Sequence, residues 1–320
     1  RYARLEGAVS DGPHGVGGRN AAGKTNRVEA LVLLSSGRSH RSSADPEMVR
    51  WGSEFARTAA EVESDGRSEE LEVVIHARGS GSGTRKRIRD NGVNRRASAL
   101  RPLLRTVLFA PEDMLLIVGS PSLRRNLLDA LLAQREPAAA PVMSTYQRAL
   151  TQRNSLLRRI REDEADRAEL AYWDETVLEA GGQVLDWRHE TLGTLAAPLA
   201  EAHREIAPEE TALELSYRSN VEPGPSESNT DALRRRLRET AEKEVWNGAT
   251  LVGPHRDDLV FVSGGRELTE FASRGQQRTA ILALKLAELD LLTDLDGRPP
   301  LLLLDDVFSE LDPERRAHLV

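Results

Sequence analysis

Along this chain the spacing of apolar positions passes from helical to alternating, returns to helical over a long stretch, and ends in a continuous run. Val28, Leu31, Val32 and Leu34 recur at helical intervals and predict a helix over 25–34 laid on a sheet, with Arg27 on its outer face. Ahead of it, residues 12–17 hold one β-branched residue, Val16, and make a poor strand; because the chain does not begin with Met, a first strand is expected upstream of Arg1. Over 55–63 and 71–77 apolar and polar residues alternate, which predicts two antiparallel strands joined through Ser64, Asp65, Gly66 and Arg67. Asn91-Gly92 marks another hairpin, since both residues accept the positive φ angles of a two-residue turn. Val107-Leu108-Phe109 reads as a short buried strand ended by Ala110-Pro111.

From about 114 the period is helical again. Leu127, Leu128, Leu131 and Leu132 form one stripe, Tyr146, Leu150, Leu157 and Ile160 a second, and Leu170, Trp173, Val177, Val184 and Leu185 a third. Pro137 and Pro141 separate the first two, and the Pro- and Gly-rich residues 222–229 form a surface loop. Leu233, Leu237, Ala241 and Val245 then line one face of a helix whose other face carries Arg234, Arg235, Arg236 and Arg238 as a solvated side. The all-helical stretch 114–246 predicts an inserted arm or cap. Strands are expected again at 250–252 and 259–262, with Gly264-Gly265 as a turn. A helix follows from 273–278 to about 293 with Leu282, Leu286, Leu289 and Leu292 on its buried face. Residues 301–304, four leucines in a row, read as a central parallel strand covered on both faces.

Composition narrows the class. With 320 residues, 39% of them hydrophobic, the chain can bury one large core or two smaller ones. The absence of Cys removes disulfides and thiolate metal sites and fits a reducing, cytoplasmic setting. No apolar run approaches the roughly 20 residues of a membrane helix, and no h-region follows the first residues, so neither membrane nor signal peptide is expected. A net charge of −7 argues against a uniformly basic coat. Locally the balance reverses: between 84 and 105 stand Arg85, Lys86, Arg87, Arg89, Arg95, Arg96, Arg101 and Arg105 against Asp90 alone. Such a run suits contacts to a DNA backbone without sequence preference, and suits equally a charged edge strand that prevents aggregation.

The candidate chemistry begins at Gly18-Arg19-Asn20-Ala21-Ala22-Gly23-Lys24-Thr25, followed by Asn26, with the spacing of a phosphate-binding loop. Small residues let backbone N–H groups curl around phosphates, Lys24 reaches the β and γ oxygens, and the Thr25 hydroxyl is a ligand for Mg²⁺. The positive end of the following helix adds to the same anion site. Gly37-Arg38-Ser39-His40-Arg41-Ser42 is either a solvated connection or a ligand-contacting loop. At Ser273-Arg274-Gly275-Gln276 a Ser, a Gly and free N–H groups open a helix as a second anion site. Asp305 and Asp306 close the apolar strand.

In this order these parts resemble an ABC-type ATPase head: α/β, a P-loop fold with an inserted α-helical arm. Residues 1–113 and 247–320 would be its two parts and 114–246 the arm, or lobe II. Asp305 would hold Mg²⁺ through water and Asp306 would orient or deprotonate the attacking water as the catalytic base. Further strings narrow the resemblance to the RecF family, DNA-gap repair ATPases related to SMC-type heads: Gly37-Arg38-Ser39-His40-Arg41, Gln152-Arg153-Asn154, Gly253-Pro254-His255-Arg256-Asp257-Asp258 and Arg274-Gly275-Gln276-Gln277-Arg278. The resemblance implies a protein that binds ATP with Mg²⁺ and dimerises on it, Ser273, Gly275 and Gln276 of one copy closing in trans on the nucleotide of the other. It implies binding to double-stranded DNA beside single-stranded gaps, weak DNA-stimulated hydrolysis, work with RecO and RecR to load a recombinase, and a place in the SOS response. Asp306, where most ABC heads have Glu, agrees with slow turnover, and a strand and switch segment completing the γ-phosphate site are implied beyond Val320. The other readings are an SMC-like structural ATPase head, which the lack of sustained heptads disfavours, and another ABC-type ATPase subunit, which the long insertion disfavours.

Overall fold

The stripe predicted between 25 and 34 becomes α1 (Lys24–Ser36), which ends at Gly37 in the left-handed region (φ 69°), where the Gly37 N–H donates to the Leu33 carbonyl. The structure, a computed structural model, describes residues 3–10, 12–19, 22–42, 44–64, 66–77, 86–97 and 103–305. The chain divides into two compact units, Arg1–Asp113 with Leu292–Val320 and Met114–Leu291. Among the described residues no helix is long and apolar enough to cross a membrane.

In the first unit α1 covers a four-stranded antiparallel sheet, in the order β1 (Phe55–Ser64), β2 (Arg67–His76), β3 (Lys86–Asp90), β4 (Val93–Arg95). Leu71, Val73 and Ile75 alternate onto one face, where with Ile88 they meet Leu33 and Leu34 of the helix. The β3–β4 turn has Asn91 at φ 48° and Gly92 at φ 76°, the pair of positive angles that a type I′ hairpin needs. Residues 3–10 and 12–19 contain no strand and are exposed. A fifth strand, β5 (Thr106–Phe109), is mostly buried.

The second unit begins with α2 (Leu115–Val118), α3 (Pro121–Arg135), α4 (Ala139–Arg161) and the 36-residue α5 (Ala171–Ile206). Next come β6 (Leu213–Arg218) and α6 (Asn229–Asn247), then β7 (Asp258–Ser263), β8 (Arg266–Glu267), α7 (Leu268–Phe271) and α8 (Arg274–Asp294). α5 approaches α6 closely at Gly182, where a Cβ would stand 2.0 Å from the Thr230 hydroxyl oxygen. Three expectations change here. The stretch 114–246 is not all helix, because β6 pairs antiparallel with β7, Leu213 opposite Ser263. That pairing ties 258–263 to the helices, so the unit runs to Leu291 rather than to 246. Residues 250–252 form no strand: the Thr250 N–H donates to Asn154 and the Leu251 N–H to Glu244, so side chains take the groups a ladder would use.

The chain returns to the first unit with β9 (Leu301–Leu304), which pairs parallel with β5, Thr106 opposite Leu301 and Phe109 opposite Leu304. Only Leu303 of the four is fully buried. The run is less covered than its composition predicts, for β5 is its hydrogen-bonded neighbour among the described residues.

Candidate nucleotide site and a buried polar network

The parallel ladder continues one residue past β9, the Asp305 N–H donating to the Phe109 carbonyl at 3.0 Å. This fixes the buried Asp305 carboxylate beside the first turn of α1, where the Thr25 hydroxyl donates to its Oδ1 at 3.0 Å. Gly23 caps the helix in the left-handed region (φ 93°), and the Lys24 ammonium donates to the Gly18 carbonyl at 2.9 Å. Arg19 and Ala22 are joined by the Ala22 N–H to the Arg19 carbonyl, and the Asn26 N–H bonds Gly23. Gly18, Lys24, Thr25 and Asp305 are therefore brought together. Asn20, Ala21 and the proposed base Asp306 lie outside the described residues.

The loop after α1 supplies groups whose part the sequence leaves open. The Ser39 hydroxyl donates to the buried Glu29 carboxylate at 2.5 Å and accepts the N–H groups of Arg41 and Ser42. Glu29 falls on the apolar face of a helix, the signal by which a special position could have been noticed. Both ring nitrogens of His40 are buried without a hydrogen-bond partner among the described residues. Burial holds its imidazole below the ordinary range, against the upward pull of Glu29, Glu112 and Asp305.

Ser273 and Gln276 form a reciprocal cap at the start of α8. The Ser273 N–H donates to Gln276 Oε1 at 3.0 Å, and the Gln276 N–H donates to Ser273 Oγ at 3.3 Å. Ser273 stays exposed, and Gly275 beside it carries no Cβ toward the Ser273 hydroxyl.

The basic run is partly consumed by the protein itself. Lys86 pairs with Asp45 at 2.9 Å, Arg89 with Glu72 at 3.0 Å and Arg95 with Asp90 at 3.8 Å. Glu72, buried on the sheet, also binds Arg57 at 2.5 Å, and the two arginines hold its carboxyl below the usual range. Arg87 and Arg96 are exposed, and Arg85 lies outside the described residues.

In the second unit Gly253-Pro254-His255-Arg256-Asp257-Asp258 and Arg153 of Gln152-Arg153-Asn154 converge in one polar network. Arg124 donates to both carboxylate oxygens of Asp258 and Arg125 to the Asp257 carbonyl. Arg188 bridges Asp129, the Tyr217 hydroxyl and the Pro254 carbonyl, while Asp257 accepts from Tyr217 and Ser219. Arg153 joins Asp174, Glu244 and Thr250, and Arg256 donates to the Thr250 carbonyl. His255 lies between the Tyr146 hydroxyl and that same carbonyl, and burial lowers its pKa to about 4. Residues 250–258 thus act as a largely buried polar hub.

No protein-family model matches the chain. It is 41% identical over 307 residues to the DNA replication and repair protein RecF of Heliobacterium modesticaldum, covering 95% of this chain and 81% of that one. It is 42% identical to RecF of Symbiobacterium thermophilum over 324 residues, all of this chain and 84% of that one. A solved structure of the recombination mediator protein RecF with ATP, in the RecFOR pathway, superposes with a TM-score of 0.84 at 32% identity over 94% of this chain and 80% of that one. A second, RecF-ATPrS, matches with the same TM-score at 33% identity, covering 94% of this chain and 81% of that one. The fold is accordingly α/β, that of a P-loop ABC-type ATPase head with a helical insertion. Identity of this degree over so much of both sequences establishes that the chain belongs to the RecF family of DNA replication and repair proteins.

Proposed function

We propose that the chain is an ATP-dependent DNA-binding protein of recombinational gap repair, in which an ATP-induced dimer clamps duplex DNA beside single-strand gaps and helps load a recombinase. The observation that supports this most is the hydrogen bond between Thr25 and Asp305, residues 280 apart that meet at the foot of the phosphate loop. A hydroxyl and a carboxylate are the hard oxygen donors that Mg²⁺ prefers, so these two residues fit the ion. When bound, Mg²⁺ neutralises charge on the phosphate oxygens. Lys24 exchanges the Gly18 carbonyl for a phosphate oxygen, a stronger charge-assisted partner. Gly18, Arg19, Asn20, Ala21, Ala22, Gly23 and Asn26 complete the cradle, and Asp306 accepts the proton of the attacking water.

Ser273, already capping Gln276 as an acceptor, has its O–H to give to the nucleotide held by a second copy, with the Gly275 N–H beside it. Two heads related by a two-fold axis would share two ATP molecules. Weak, DNA-stimulated hydrolysis then resets the clamp. RecO and RecR are the partners that the RecFOR pathway of the solved relatives suggests.

Light scattering with ATP and Mg²⁺, with ADP, and with neither tests the assembly. Dimers are expected with ATP alone and are lost in Ser273→Arg, whose cation takes the place of the partner's nucleotide. An equal dimer in all three conditions overturns the switch.

A further inference from the structure

The solvent face of the four-stranded sheet carries aromatic and basic side chains in register. Phe55 stands opposite His76 with ring centroids 6.3 Å apart, and one row on Arg57 stands opposite Val74, which in turn stands opposite Arg87. Strand alternation puts Phe55, Arg57, Val74, His76 and Arg87 on the face away from Leu71, Val73 and Ile75. Phe55 is half exposed, and Trp51, in the turn leading into β1, is 97% exposed. Arg89 and Arg57 bind Glu72 in the next row, so in the rows from Phe55 to Ala59 the cations Arg57, Arg87 and Arg89 stand against the Glu72 carboxylate, while Glu61, Glu63 and Glu70 occupy the rows of the same face beyond them.

We infer that this face binds unpaired nucleic acid, bases stacking on Phe55 and Trp51 while phosphates meet Arg57 and Arg87. Flat exposed rings on a sheet suit bases that have left a duplex, whereas the paired bases of a duplex hide their faces from a side chain. Arginines two strands apart, about 10 Å, bracket a backbone that crosses the sheet. The inference rests on the proposed function for DNA as the partner, and adds that the single-stranded part is held by stacking on the first unit.

Fluorescence anisotropy of a labelled oligo-dT of about 15 nucleotides tests it, beside a blunt duplex and a labelled polyglutamate peptide. Phe55→Ala combined with Trp51→Ala is expected to weaken oligo-dT binding roughly 10- to 100-fold at constant salt, with duplex binding unchanged. Arg87→Ser should flatten the plot of log affinity against log salt by about 0.7 for the single strand. Phe55→Trp should bind as well as the parent. Unfolding midpoints equal to the parent's keep a folding defect apart from a lost contact. Oligo-dT affinity equal in the parent and the double aromatic variant, or no oligo-dT binding by the parent, overturns the inference. So does polyglutamate binding that the aromatic variant loses in parallel, which would mark an acidic protein segment as the occupant. ATP-dependent retention on duplex, measured with the same preparations, reports separately on the general reading, because it does not need Phe55 or Trp51.

Discussion

The foot of the phosphate loop and the 250–258 hub both concentrate charge, but they dispose of it in opposite ways. In the hub, Arg153 and Arg188 are each 3% exposed and Glu244 is fully buried, and all three have partners on several elements. At the phosphate loop the ammonium of Lys24 rests on one backbone carbonyl, and His40 turns two ring nitrogens to no partner among the described residues. A buried charge paired across elements costs several kcal/mol to strip of its partner. A charge resting on a single replaceable acceptor is cheap to redirect. Within one sequence, motifs of equal distinctiveness therefore serve structure in one unit and, by our proposal, a ligand in the other.

The sharpest way to break this contrast is Arg153→Met. Leaving Glu244 buried without its cation should lower stability by about 3–5 kcal/mol, read as a shift of the urea midpoint. A change under about 1 kcal/mol would mean that the hub is not the tightly coupled network described above.

The next effect depends on pH. His255 has a folded pKa of about 4 against an ordinary 6.5, so between those values the unfolded chain takes up a proton that the folded chain refuses. Its contribution is complete above pH 6.5 and is lost as pH falls toward 4, by about 3 kcal/mol at most. Urea midpoints at pH 7 and pH 4.5 should fall less in His255→Gln than in the parent. An identical fall in both would remove His255 from the acid response.

Lys24→Met gives the smallest change in stability, about 1 kcal/mol or less, together with a roughly 10- to 100-fold loss of ATP affinity by calorimetry, since a charge-assisted bond is worth about 1.5–3 kcal/mol. Unchanged affinity would make the loop a turn before a helix and no more.

Periodic elements were legible because their signal is local. Alternation over 55–63 and the Asn91-Gly92 turn predict β1 and the β3–β4 hairpin, and the leucine stripes predict α3 to α6. The Thr25–Asp305 meeting was legible only through motif order, with 280 residues between. β6 was missed although Leu213, Leu215 and Tyr217 alternate with polar neighbours, because six residues are short against the helices on either side. Thr250-Leu251-Val252 reads as a strand by composition, and nothing local reveals that Asn154 and Glu244 take its N–H groups. The basic run misleads in the same way: Asp45, which neutralises Lys86, lies 41 residues back.

The long separation of Thr25 from Asp305 also sets a timetable. A ribosome adding about 5–20 residues per second delivers Asp305 roughly a quarter of a minute to a minute after Thr25. All of Met114–Leu291 emerges in that interval and, having its own core, can fold while β5 still lacks β9. The carboxylate that completes the loop is thus delivered late, and a nascent chain arrested before Asp305 lacks the acceptor that Thr25 needs.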